Sequence, residues 1–169
     1  KKIRTDLSIY RAAGAAVLEG TDIYSVENER TWYFTSPPIV AILCAPLALF
    51  PLVWDAVLIY AISILLLYGI ARLSLKILER CTSIKNKWKI IGISFLICSI
   101  FFSDVLTRGQ FGILLLFSLM LALYGWLFDK PVLTGLALGF AISIKITPAA
   151  LIPFLFLIKQ SIIQAIIKS

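Results

Sequence analysis

Seven polar side chains could do chemistry in an otherwise apolar chain: Asp6, Tyr10, Asp22, Tyr24, Arg108, Gln110 and Lys145. Their types cover proton transfer and anion binding. A carboxylate such as Asp6 can take a proton from an attacking hydroxyl, and Asp22 offers a second acid. The Arg108 guanidinium suits bidentate phosphate binding. The Lys145 ammonium lies between long apolar stretches, a costly position unless it is paired or wetted, so it is a functional candidate. Tyr10 and Tyr24 offer ring faces and hydroxyls. Histidine is absent, which excludes Ser-His and Cys-His catalysis within this stretch and leaves carboxylates, Tyr and Lys for acid–base work.

Each of these residues also has a plainer reading. Asp6 fits an N-cap for a helix over residues 7–19, which Gly20 would end. Asp22, in Gly-Thr-Asp-Ile-Tyr, fits a turn. The tyrosines fit interfacial anchors, Lys145 a snorkelling lysine, and Arg108 a partner for Asp104 four residues earlier. Asp55 reads as a dipole partner at the head of a helix, and Gly135 with Gly139 forms a GxxxG packing motif.

The elements that would position these residues are membrane helices. Sixty per cent of residues are hydrophobic and 15% are charged, against about a quarter charged in a soluble domain. Mean hydropathy is +0.97, more apolar surface than a core of 169 residues could hide. The net charge of +7 belongs with loops and lipid phosphates in so apolar a chain, and no nucleic-acid partner is expected. Cys44, Cys81 and Cys98 are too scattered for a disulfide framework or zinc site, and neither metal nor other cofactor is expected. The chain opens on Lys1-Lys2 and stops at Lys168-Ser169 after an apolar run, which reads as a segment of a longer protein.

Along the chain, residues 1–35 form a polar loop with balanced charge. Residues 36–53 hold a short apolar run between Pro37-Pro38 and Pro51; twelve residues reach about 18 Å, which suits a juxtamembrane helix better than a span of a ~30 Å hydrocarbon core. Residues 54–78, 88–103 and 111–128 read as spans. Between the first two lies a loop with Arg72, Lys76, Arg80, Lys85, Lys87 and Lys89 against Glu79, the mark of a cytoplasmic side. Residues 132–158 read either as one kinked helix of about 40 Å or as a hairpin of two short spans turning at Lys145-Ile146-Thr147-Pro148. The hairpin is preferred, because it removes Lys145 from mid-bilayer. The expected architecture is an all-α polytopic bundle, with the outer loop bearing short juxtamembrane helices.

Three stretches carry a resemblance. Asp6-Leu-Ser-Ile-Tyr10-Arg-Ala-Ala-Gly with Gly20-Thr-Asp22-Ile-Tyr24 is the first. Tyr33-Phe-Thr-Ser-Pro37-Pro38, leading into a helix with Pro46 and Pro51, is the second. Arg108-Gly109-Gln110, followed by residues 135–139 and Ala141-Ile-Ser-Ile-Lys145-Ile-Thr-Pro148, is the third. In this order they resemble the polyprenol-phosphate-mannose-dependent α-1,2-mannosyltransferases of the C-type membrane glycosyltransferase superfamily. One position departs from the family pattern: Gly112 stands where Asn is usual.

The resemblance implies a multi-pass protein of a bacterial plasma membrane with its active site on the outer face. It implies inverting transfer of a hexose, mannose by the family's habit, from a polyprenyl-phosphate donor to a lipid or glycan acceptor. Asp6 would be the general base, Tyr10, Asp22, Tyr24 and Gln110 would meet the substrate, and Arg108 and Lys145 would lie near the phosphate. Competing readings are a related transferase of another sugar or acceptor, and a transporter or flippase whose broken helices line a path. The charged candidates gather at one face in this topology, which favours an interfacial active site over a transport path.

Overall fold

The computed structural model describes residues 5–27, 31–83 and 85–153, and among them the chain is all-α. Its elements are α1 (Thr5–Glu19), α2 (Pro38–Ala48), α3 (Leu52–Cys81), α4 (Lys87–Arg108), α5 (Gly112–Leu127), α6 (Pro131–Ile144) and a 3₁₀ turn (Thr147–Ala150). An isolated antiparallel bridge joins Glu27 to Tyr33 between α1 and α2. The expected all-α class is therefore the observed one.

Local chemistry sets the boundaries. Asp6 lies inside the first turn of α1, where a carboxylate complements the positive end of the helix dipole. Gly20, at φ +70°, ends that helix, and the Thr21 N–H donates back to the Ala16 carbonyl at 2.9 Å. Pro38 opens α2 and Pro51 precedes α3, positions where proline's missing N–H costs nothing. Helix α4 continues through Asp104 to Arg108, five residues past the span the pattern suggests, until Gly109 ends it in the left-handed region.

Within the expected hairpin over 132–158, α6 runs to Ile144, Lys145 is extended at φ −150° and ψ 128°, and Pro148 sits in the following 3₁₀ turn. Residues 154–158 lie outside the described residues. The Lys145 N–H still donates to the Ala141 carbonyl at 3.0 Å, and the chain re-enters helical angles at Ile146, ahead of the turn that carries Pro148.

Among the described residues, α3 and α4 are the helices long and apolar enough to cross a membrane. At 1.5 Å per residue α3 reaches about 45 Å and α4 about 33 Å, while α5 and α6 reach about 24 and 21 Å. Apolar side chains such as Leu65, Leu96, Ile100 and Phe101 point outward, a surface suited to lipid or neighbouring helices.

The buried core sits at one end. Ile9 and Ala13 of α1, Phe34, Val40 and Ala41 around α2, and Ile144 at the end of α6 close on one another. Helices α1 and α2 approach so closely that a Cβ on Gly14 would lie 2.6 Å from the Cys44 carbonyl. At the other end of the bundle α5 meets α6 through Gly125, where a Cβ would fall 2.7 Å from Thr134 Oγ1. Gly135 and Gly139, the GxxxG pair, have open space beside them instead.

An ion pair ties α1 to α3. Arg11 Nη1 bonds Asp55 Oδ2, and Asp55 is wholly buried while the Arg11 side chain keeps 27% exposure. Arg11 Nη2 also donates to the Phe50 carbonyl at 2.6 Å. Asp55 is thus a cross-helix anchor, beyond any role at the head of α3. Its second oxygen, Oδ1, has no hydrogen-bond partner among the described residues. Removing the cation would leave a buried carboxylate uncompensated, at a cost of about 3 kcal/mol. Arg11→Met should therefore lower the thermal midpoint in detergent by several degrees, and Asp55→Leu in the same chain should recover most of the loss. An unchanged midpoint in the single variant would contradict the anchoring role.

Candidate active site

A cavity of about 580 Å³ opens between the ends of α1, α2, α5 and α6. Its polar lining comes from Tyr10, Tyr24, Thr35, Ser36, Gln110 and Lys145, and its apolar lining includes Val40, Phe111, Leu115, Ile144 and Ile146. The lining therefore comes from α1, the segment between α1 and α2, α2, the turn from α4 to α5, the start of α5, the end of α6 and the break after it.

Each polar group is set by local structure. Tyr10 faces the cavity because Ile9 and Ala13, on either side of it in α1, are buried in the core. Its ring lies 5.3 Å from Phe111 and edge-on to Phe34 at 6.4 Å. Tyr24 meets the same Phe34 at 5.9 Å, so aromatic rings form one wall. Burial pushes the Tyr10 phenol above its ordinary value, only partly offset by its hydrogen bond with Ser36, and the Asp6 charge adds to the rise. Tyr10 is thus a neutral hydroxyl donor throughout the physiological range. Lys145 is exposed and makes no ion pair among the described residues, which sets a cation on the cavity wall.

The turn from α4 to α5 is the tightest part of the site. Gly109 is buried at φ +70°, and its N–H and that of Gln110 return to the Leu106 and Val105 carbonyls at 3.2 and 3.0 Å. A Cβ on Gly109 would lie 2.8 Å from Leu7 Cβ. The turn is thereby pressed on the first turn of α1, and Gln110 Nε2 donates to Asp6 Oδ2. Asp6 does not line the cavity itself; it joins the site through Gln110.

The other sequence candidates lie elsewhere. Arg108 Nε donates to Asp104 at 2.9 Å, both side chains more than half exposed. Asp22 is exposed and organises a turn: its Oδ1 accepts from the Tyr24 N–H at 3.0 Å and its carbonyl accepts from Ser25 Oγ at 2.7 Å. Thr35 and Ser36 are not among the sequence candidates, although the Thr-Ser-Pro-Pro segment carrying them is one of the stretches on which the resemblance rests. Hydroxyls directly ahead of a helix-opening Pro-Pro are the signal that points to them.

The comparisons with known proteins decide the class. The family model for Glycosyltransferase family 87 matches residues 34–166. The chain belongs to this family. Neither the curated proteins nor the solved structures give a match. The protein is thus a membrane glycosyltransferase rather than a transporter. The matched stretch includes Gln110 and Lys145, whereas Asp6, Tyr10 and Tyr24 precede it.

Gly109 and Gly20 provide an internally controlled test of how the site is held. Both have φ +70°, but only Gly109 meets a neighbour; Gly20 has open space. An L-residue in this region costs about 1–2 kcal/mol. Gly20→Ala should show that strain alone, while Gly109→Ala should add about 1 kcal/mol or more from the Leu7 contact, read as a larger fall in thermal midpoint. Equal falls would show that the turn does not press on α1.

Proposed function

We propose that this glycosyltransferase moves a hexose from a polyprenyl-phosphate carrier to a hydroxyl of a lipid or glycan, with inversion at the anomeric carbon. The observation that carries the reading is the mixed lining of the cavity, with a carboxylate held at its edge. Tyr10, Thr35, Ser36 and Gln110 suit sugar hydroxyls, Lys145, with no ion pair among the described residues, suits a phosphate, and Val40, Leu115, Ile144 and Ile146 suit the start of an apolar chain. An amphiphile with a charged junction meets all three.

In this reading the acceptor oxygen attacks the anomeric carbon as the bond from that carbon to the phosphate oxygen breaks. Asp6 takes the acceptor's proton and the carrier leaves as polyprenyl phosphate, its growing charge facing the Lys145 ammonium. A double displacement would need a second carboxylate as nucleophile. Asp22, the second acid among the candidates, is engaged in its own turn, Asp55 and Asp104 are paired with arginines, and this supports single displacement and inversion. Mannose as the sugar, and the α-1,2 linkage, rest on the resemblance of the motifs.

Charge supports an outward-facing site. At the opposite end of the bundle, Lys76 and Lys130 lie 5.7 and 5.2 Å from the Tyr124 ring, and Arg80 lies 5.0 Å from Phe128. About 24 Å of α5 separates the two ends. A basic end favours the cytoplasmic side, which would turn the cavity outward in a multi-pass arrangement.

The test is transfer of radiolabelled sugar from polyprenyl-phosphate mannose by membranes containing the full-length protein. Asp6→Asn should lower kcat by about 100-fold or more, and wild-type turnover would remove Asp6 as the base.

A further inference from the structure

The placement of Gln110 assigns it a task separate from substrate binding. We infer that Gln110 is a positioning residue: its side-chain amide fixes the orientation of the Asp6 carboxylate and leaves Asp6 Oδ1 as the oxygen that takes the acceptor's proton. The inference rests on the reading of Asp6 as the base and deepens it.

Two observations converge on this geometry. Gln110 Nε2 donates to Asp6 Oδ2 across 104 positions of sequence, so tertiary structure alone brings them together. The backbone that carries Gln110 is fixed on both sides, by the hydrogen bond from its own N–H to Val105 and by the contact of Gly109 with Leu7, the neighbour of Asp6. The donor and the carboxylate are therefore registered by one packed contact between the α4–α5 turn and the first turn of α1.

The choice of an amide has a chemical reason. A short carboxylate side chain turns about two bonds, and a base is efficient only when its free oxygen meets the proton within about 2.6–3.2 Å. A cation in the place of Gln110 would hold the carboxylate equally well, but would also favour its charged form and weaken it as a base. A neutral amide orients without that penalty. The Gln110 side chain also lines the cavity, so the base is tied to the wall against which the acceptor would lie. Among the described residues, Tyr10 on the same helix is a titratable neighbour that senses the Asp6 charge; Lys145, from the break after α6, lines the same cavity.

Three variants of the full-length protein, assayed with polyprenyl-phosphate mannose, test the assignment. Gln110→Ala should lower kcat by about 10- to 100-fold, a larger factor than the rise in KM for the donor, since orientation is lost while Tyr10, Thr35, Ser36 and Lys145 still line the cavity. Gln110→Glu keeps the length but sets a second carboxylate against Asp6. The two would share a proton, and the acid limb of kcat/KM should move up by about one pH unit or more. A residue with only a structural role would not move that limb. Wild-type kcat in Gln110→Ala, a raised KM with kcat unchanged, or a Gln110→Glu profile superimposable on wild type would each overturn the positioning role. Asp6→Asn separates the two levels: if it is inactive while Gln110→Ala is normal, only the positioning role falls. If it is active, the base assignment and the positioning role fall together.

Discussion

The ion pair between Arg11 and Asp55 is the constraint on which the rest of the site depends. Helix α1 is short and carries both Asp6 and Tyr10, and it packs on α2 through Ile9, Ala13 and Gly14; the ion pair ties it to α3 as well. A charge pair with one member wholly buried fixes its rotation as well as its position. Such a pair gives little net stability, because desolvation offsets most of the attraction. What it supplies is geometry. Arg11 follows Tyr10 directly, so fixing Arg11 on α3 turns Tyr10 toward Phe111 and places Asp6, one turn earlier, beside Gln110.

Small residues then allow the close approaches that finish the site. Gly14 brings α1 onto the α2 backbone and Gly109 brings the α4–α5 turn onto Leu7. These contacts draw the core cluster to the same end of the molecule as the cavity. The opposite end is built from cations over aromatic rings. The chain therefore separates a packed, hydroxyl-lined end from a basic one, the polarity a membrane enzyme needs if its substrate is presented from one leaflet.

Much of this was legible in residue types. Composition alone indicates a membrane protein, the charge-poor runs of span length indicate an all-α one, and the prolines and glycines mark most helix ends. Lys145 could be picked out because a charge flanked by apolar runs needs a reason, and Tyr10, Tyr24 and Gln110 because they stand in the stretches that carry the resemblance. Direction was harder to read. Arg108 and Gln110 are two residues apart, yet the left-handed Gly109 between them leaves Arg108 on Asp104 and turns Gln110 to Asp6. Asp22 has the same side-chain chemistry as Asp6 but spends it on its own turn. The pairing of Arg11 with Asp55 left no local trace, since it joins residues 44 positions apart and each has an ordinary explanation alone. Thr35 and Ser36 are common hydroxyls whose place at the cavity follows only from where α2 docks.

The central claim is that one cavity holds the carrier phosphate at Lys145 and the sugar beside Tyr10 and Gln110, within reach of Asp6. A cryo-electron microscopy structure of the full-length protein with a polyprenyl-phosphate sugar bound tests it most directly. The account predicts the phosphate within hydrogen-bond distance of Lys145, the sugar between Tyr10 and Gln110, and the first isoprene unit against Leu115 and Ile144. A donor bound outside this cavity, or a phosphate held by Arg108 with Lys145 turned away, would contradict it.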